Sequence, residues 1–347
     1  MRIGRFEVGR GHRPFIVAEL SGNHNQSLER ALAIVEAAAR AGAHALKLQT
    51  YTADTMTLDL RGDEFTIEDP SSPWHGRSLY ELYQEARTPW DWHAPIQRRC
   101  RELGMECFST PFDESAVDFL ETLGVPCYKI ASFENTDLGL IRKAASTGKP
   151  LVISTGMASF AELGDAVGAA RAAGCRDLVL LKCTSTYPAT PENSNLATLP
   201  HLRQLFDCEV GLSDHTLGIG AAVAAVAFGA VLVEKHFTLR RADGGVDASF
   251  SMEPEEMAAL ARETQQAWQA IGRVSEGPTE AEKPSLRFRR SLYFSRALEA
   301  GEVLTRDNVR CVRPGLGLAP KHLPEVLGRR TTRAVRRGTP VTWDLLS

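Results

Sequence analysis

Apolar runs of five to eight residues alternate along the chain with longer stretches whose apolar positions recur every three or four residues. The runs fall at residues 15–20, 45–50, 107–112, 128–132, 150–155, 178–183, 210–215 and 231–238, and helical patterns separate them. Helices are predicted at 27–41, with Ser27 as N-cap and Glu29 in the first turn, and at 90–103, 160–173 and 254–271. Gly42, Gly104, Gly124, Gly148 and Gly174 each stand just past a helical run, where a left-handed C-cap belongs. Eight strand–helix units in sequence, with strands apolar on both faces, predict an α/β fold of the (β/α)8 barrel type. The alternative, an open doubly wound sheet, lacks its Gly-rich fingerprint after the first strand. Residues 1–13, with Ile3, Phe6 and Val8 around Gly4 and Gly9, predict a hairpin plugging the bottom of the barrel.

Beyond the barrel the pattern changes. The barrel domain is expected to span 1–272. Residues 273–285 are polar and broken by Gly and Pro, which reads as a linker, and 286–347 carry short alternating runs with frequent Gly and Pro, a small β-rich domain. So small a domain buries little core by itself and gains from packing elsewhere.

Composition narrows the partners. With 40 basic and 43 acidic residues and a pI near 6.3, there is no electrostatic case for nucleic acid or an anionic membrane surface. Seven cysteines without a CxxC pair predict reduced thiols and a cytoplasmic protein, and no leader or spanning segment is evident.

The chemistry is expected where the strands of such a barrel end. Two neighbouring runs end in histidine, GLSDHT at His215 and VLVEKHFT at His236, and a βαβ unit places both strand ends on one rim. A paired imidazole suits an open divalent metal site, with Mn²⁺ or Mg²⁺ favoured over a closed zinc site because only two histidines are present. Period-two alternation puts Lys47 with Gln49, Ser213 with His215 and Glu234 with His236 on common faces. Lysines inside apolar strands must be paired. Lys47 and Lys129 with the hydroxyls of Thr110, Ser132, Ser154 and Ser213 would make a pocket for a small phosphate-bearing anion, and Glu19 adds a carboxylate. Lys182 is expected to project outward, and Lys235 to point away from His236.

Several stretches carry a closer likeness. FIVAELSGNHNQSLERAL, ALKLQTYTADTMTL, FSTPFD, YKIAS, STGMA, GLSDHTLGI, EKHFTL and DGGVDASFSMEP, then RRSLY and RPGLGL, resemble the sialic acid synthase family along essentially the whole chain. The resemblance implies a barrel followed by an antifreeze-like (SAF) domain, and an enzyme condensing phosphoenolpyruvate with an acetamido sugar with C–O cleavage. It places the metal, Mn²⁺, Mg²⁺ or another divalent cation, on His215 and His236. It places phosphoenolpyruvate contacts on Lys47, Thr110, Lys129, Ser132, Ser154 and Ser213. Ser185 stands where sialate synthases have Asn, which leaves its role open. Glu19, Gln49, Tyr187 and Asp247 match positions near the sugar or the reacting carbons. Arg313 matches an arginine that the SAF domain contributes to a neighbouring subunit, implying a domain-swapped homodimer. KLQTYTADTMTL and the aromatic segment 74–93 resemble the pseudaminate-forming branch, using an altrose-type 2,4-diacetamido-2,4,6-trideoxy hexose, rather than the N-acetylneuraminate or legionaminate branches. The aromatics between Trp74 and Trp92 are then expected to line the sugar pocket. A metal-dependent hydrolase or epimerase would call for more ligands at the rim, and an ice-binding protein for a flat threonine array, which 286–347 lacks.

Overall fold

The structure, a computed structural model, describes residues 1–70 and 72–347 and divides into two compact units, Met1–Gly272 and Arg273–Ser347. In the first, a two-stranded antiparallel hairpin (β1 Arg2–Ile3, β2 Phe6–Glu7) precedes eight parallel strands: β3 Phe15–Glu19, β4 Ala45–Thr50, β5 Glu106–Pro111, β6 Tyr128–Ile130, β7 Leu151–Ser154, β8 Leu178–Cys183, β9 Glu209–Ser213 and β10 Leu232–His236. Each pairs with the next, and β10 pairs with β3, closing the barrel. The strands end up to two residues earlier than the apolar runs suggest, because the backbone turns away into the loops that carry rim residues such as Ser132 and His215.

Side-chain alternation divides the strands into two faces. Outward residues such as Ile16, Ala18, Leu46, Leu48, Ile130, Ile153, Leu180 and Val233 pack under the surrounding helices. Inward residues form a second cluster, Phe15, Val17, Ala45, Phe108, Val152, Val179, Leu181 and Leu232, with Ile3 and Val8 of the hairpin region closing the bottom. The expectation of strands apolar on both faces holds only for this lower half. One or two inward positions further along each strand, the interior becomes polar.

The helix signals act as expected. The Ser27 hydroxyl accepts from the Arg30 N–H at the start of Leu28–Arg40, Ser159 and Glu162 form a capping box before Phe160–Ala172, and Pro254–Ile271 begins on proline. Gly42, Gly104, Gly124, Gly148 and Gly174 all take the left-handed region. Among the described residues no helix is long and apolar enough to cross a membrane.

The second unit has its own core of Leu292, Phe294, Leu298, Leu304, Val309, Val326, Val335, Val341, Leu345 and Leu346 around strands β11 Ser291–Phe294 and β12 Val309–Val312. Residues assigned to a linker are partly ordered, since a 3-10 helix runs over Glu280–Phe288, capped by Thr279 and Glu282.

Two glycines test the packing in opposite directions. Gly211 faces inward on β9, where a Cβ would lie 2.3 Å from the Leu232 carbonyl oxygen and 2.7 Å from a Leu181 methyl. Gly164 lies inside Phe160–Ala172, where a Cβ would meet nothing within 4 Å. Gly211→Ala is expected to destabilise by about 1–3 kcal/mol, and Gly164→Ala to stabilise by about 0.5–1 kcal/mol. Urea unfolding of both variants checks the pair, and the reverse ordering would contradict this packing.

Candidate active site

The polar upper interior is built by residues two apart on each strand. Lys47 and Gln49 follow Ala45 on the inward face of β4, Glu234 and His236 follow Leu232 on β10, and Glu19, Thr110, Lys129, Ser154 and Ser213 hold matching positions on their strands. Register sets the neighbours: His236 lies opposite Glu19, Glu19 opposite Lys47, Gln49 opposite Thr110, and Glu234 opposite Ser213. Ser109, at the end of the same apolar run, faces outward and bonds to the Thr50 hydroxyl at 2.6 Å, so it takes no part.

Two lysines and two glutamates form one buried chain of charge. Lys47 Nζ lies 2.6 Å from Glu19 and 3.6 Å from Glu234, while Lys129 Nζ donates to both Glu234 oxygens at 3.1 and 3.2 Å. All four side chains are essentially without solvent contact. The lysines are therefore not the free cations that a phosphate pocket read from the strands implies, because each charge is already met by a carboxylate. Burial works against an ionised Glu234, yet the attraction of Lys129 and Lys47 prevails and holds it down at about 2. Burial raises Glu19 above the usual carboxylate range against the pull of Lys47, and lowers Lys129 against that of Glu234. Glu19 is thus the carboxyl in this cluster that most readily holds a proton.

Hydroxyls surround the lysines. Thr110 accepts from Lys47 at 3.1 Å, Ser213 donates to Glu234 at 3.2 Å, and the buried Ser154 hydroxyl has no partner among the described residues. Ser132 and Ser185 crowd Gly156 so closely that a Cβ there would lie 2.6 and 2.2 Å from their hydroxyl oxygens, and Asn135 holds this turn through the Ser154 and Gly156 carbonyls. Lysines, an orphaned hydroxyl and convergent serines make a site fit for an anion.

The histidines meet as expected, with ring centroids 5.4 Å apart. His215 Nδ1 donates to the Thr184 carbonyl at 2.9 Å, so that in the neutral ring Nε2 carries the lone pair, the usual arrangement behind a metal ligand. Burial works against its charged form, yet the neighbouring Cys183 and the Thr184 carbonyl prevail and raise it above the ordinary imidazole range. Burial, aided by the positive groups around it, pushes His236 well below the ordinary imidazole range, and its Nδ1 has no hydrogen-bond partner among the described residues. It is a neutral, available donor. Among the described residues no group of three or more His, Cys, Asp or Glu side chains is disposed to hold a metal. The pair therefore fits an open site completed by water or ligand oxygens.

Asp247, outside the strands, lies 3.7 Å from His236 and accepts from the Ser21 hydroxyl, and burial raises its carboxyl to about 6. Gln49 donates to Glu19 at 2.9 Å and to Ser21 at 3.1 Å. Tyr187 packs 4.5 Å from the His215 ring. Together Ser21, Gln49, Tyr187, His236 and Asp247 face a cavity of about 440 Å³. The rim thus gathers Glu19, Lys47, Gln49, Thr110, Lys129, Ser132, Ser154, Ser185, Tyr187, Ser213, His215, His236 and Asp247, whereas Arg313 is exposed in the second unit directly after β12. Of the aromatics expected in a sugar pocket, Trp74 and Tyr83 line this cavity. Trp90 instead stacks on Phe119 at 4.6 Å and Trp92 packs against the outer core. Sequence reading passed over Glu234 as an ion-pair partner and Glu134 as a lining residue. For Glu234 the signal was present, since a carboxylate on the face of a buried histidine needs a cation.

The outer faces of the same strand ends carry a separate lock. Lys235, pointing away from His236 as expected, is buried and donates to Asp214 at 2.8 Å and to the Thr216 and Gly218 carbonyls at 2.6 and 2.9 Å. It ties the turn carrying His215 to the strand carrying His236. Lys235→Met strands the Asp214 charge and is expected to cost about 3–5 kcal/mol, with part regained in Lys235→Met/Asp214→Leu. A loss under about 1 kcal/mol in chemical denaturation would show that the pair does not hold the turn.

Comparison with known proteins places this arrangement. The NeuB family model matches residues 34–276 and the SAF domain model residues 289–347. The chain is 41% identical to pseudaminic acid synthase of Helicobacter pylori, covering 95% of this chain and 97% of that one. It is likewise 41% identical to the Campylobacter jejuni pseudaminic acid synthase over 97% of each. Among solved structures, the N-acetylneuraminic acid synthetase of Leptospira borgpetersenii superposes with a TM-score of 0.73 at 29% identity, covering 83% of this chain and 95% of that one. With its closed barrel, its two rim histidines and a C-terminal SAF domain, the chain belongs to the NeuB family of sialic acid synthases.

Proposed function

We propose that the protein condenses phosphoenolpyruvate with an open-chain, altrose-type 2,4-diacetamido-2,4,6-trideoxy hexose and water, giving pseudaminic acid and phosphate by C–O cleavage. The observation that carries the reading is the juxtaposition of Lys47, Lys129 and convergent hydroxyls with a histidine pair on one rim. Identity to enzymes named pseudaminic acid synthase over nearly the full chain supports the choice of sugar.

Lys47 and Lys129 bind the phosphate with Thr110, Ser132, Ser154 and Ser213, and Ser185 sits at the edge of the same group. Exchanging a Glu19 or Glu234 contact for a phosphate oxygen keeps each ammonium paired throughout. Glu19, with its raised carboxyl, is placed to exchange a proton with the water that adds at C2. Gln49, Tyr187 and Asp247 orient the sugar. His215 and His236 would hold Mn²⁺, Mg²⁺ or another divalent cation, which when bound supplies Lewis-acid polarisation of the sugar carbonyl. Holding enol and aldehyde together makes a bimolecular step effectively unimolecular. Arg313 reaches the sugar of a partner chain in a homodimer. All seven cysteines are free, in keeping with action in the cytosol.

Phosphate release with phosphoenolpyruvate, Mn²⁺ and each candidate sugar tests this. Turnover is expected to be fastest with the trideoxy sugar, and faster turnover of N-acetylmannosamine would reject the assignment. The role of Arg313 is tested by mixing His236→Ala and Arg313→Ala chains under subunit exchange. Exchange in trans restores roughly a quarter of the sites, whereas a mixture that stays inactive places the arginine in its own chain's site.

A further inference from the structure

The cavity above the charge chain is divided by chemistry. Ser21, Gln49, His236 and Asp247 make one side polar. A second part of the lining comes from a single excursion of the chain between β4 and the helix Trp90–Glu102, where Met56, Ile67, Trp74, Leu79, Leu82 and Tyr83 present a mainly apolar surface interrupted by Asp69 and Ser72. Trp74 is fixed in this wall: its indole N–H donates to the Val246 carbonyl at 2.7 Å, and its ring lies 5.7 Å from Tyr187 and 6.3 Å from Phe250. It therefore joins the excursion to the segment that carries Asp247.

A sugar hydroxyl set against Met56, Ile67, Trp74, Leu79 or Leu82 gives up water without gaining a partner. A methyl group gains by the same move. An acetamido group needs both kinds of surface, apolar for its methyl and an acceptor for its N–H. Glu134 lines the same cavity, and one of its carboxyl oxygens is buried without a donor among the described residues.

We propose that this wall is the specificity subsite for the deoxygenated end of the sugar, the C6 methyl and the neighbouring C4 acetamido group, and that Trp74 is its specificity-determining residue. The inference rests on the function proposed above and adds which end of the sugar lies where. The C2 and aldehyde end then faces the histidines, and the C4 amide N–H falls to Glu134.

The test compares the 2,4-diacetamido-2,4,6-trideoxy sugar with its 6-hydroxy counterpart of the same configuration, with phosphoenolpyruvate and Mn²⁺, in wild type, Trp74→Ala and Met56→Ala. An apolar wall rejects an added hydroxyl by about 100-fold in kcat/KM. In Trp74→Ala that preference is expected to fall at least about tenfold as water enters the recess, mainly through KM for the trideoxy sugar, while KM for phosphoenolpyruvate stays within about threefold. Met56→Ala should lose part of the preference in the same direction, which keeps the test open should the tryptophan variant fold poorly. Should wild type prefer the trideoxy sugar and both variants keep the ratio while slowing on both sugars alike, the subsite is wrong and the function stands. Wild type preferring N-acetylmannosamine would overturn the functional reading, and this inference with it.

Discussion

Four charges buried in the upper barrel, in the order Glu19, Lys47, Glu234 and Lys129, set the terms for everything around them. A lone ion in that position would cost several kcal/mol to desolvate, and losing one partner leaves another stranded. The cluster persists because its charges balance, because Thr110, Ser213 and Gln49 satisfy further donors and acceptors, and because a tightly packed apolar layer lies beneath it. In return the fold holds two ammonium groups at fixed positions in a water-poor interior, where a charge acts more strongly than in water.

The same alternation that turns these charges inward turns others outward. On β10, Glu234 and His236 face the interior while Lys235 faces out to Asp214, so that one strand serves the site and its support at once. His215 lies beyond the end of β9 and is aimed by its bond to the Thr184 carbonyl and by the turn that Lys235 ties down. Neither histidine owes its position to a hydrogen bond with the other.

Strand periodicity made much of this legible. Residues two apart on one run share a face, so the pairs Lys47 with Gln49 and Glu234 with His236 follow from spacing alone, as does the outward turn of Lys235. Partnerships across the barrel do not, since Lys129 and Glu234 lie 105 residues apart and local pattern carries nothing about which strands face each other. Ser109 shows the cost of a single step in register, for Thr110 faces in and Ser109 out. Asp247 became visible only through family resemblance because it sits in a loop, where periodicity gives no direction. The aromatic segment misled in part, since an aromatic suits a sugar pocket and a helix core equally: Trp74 lies in the cavity wall and Trp90 under a helix.

Two rim histidines, one bonded through Nδ1 to a backbone carbonyl and the other kept neutral by burial, are proposed as an open divalent-cation site. Electron paramagnetic resonance of Mn²⁺ titrated into the purified chain measures this without reference to turnover. The account predicts one tightly held ion per chain in wild type, and loss of that site in both His215→Ala and His236→Ala, because the remaining imidazole alone binds weakly. Retention of one bound ion per chain in either variant would contradict it.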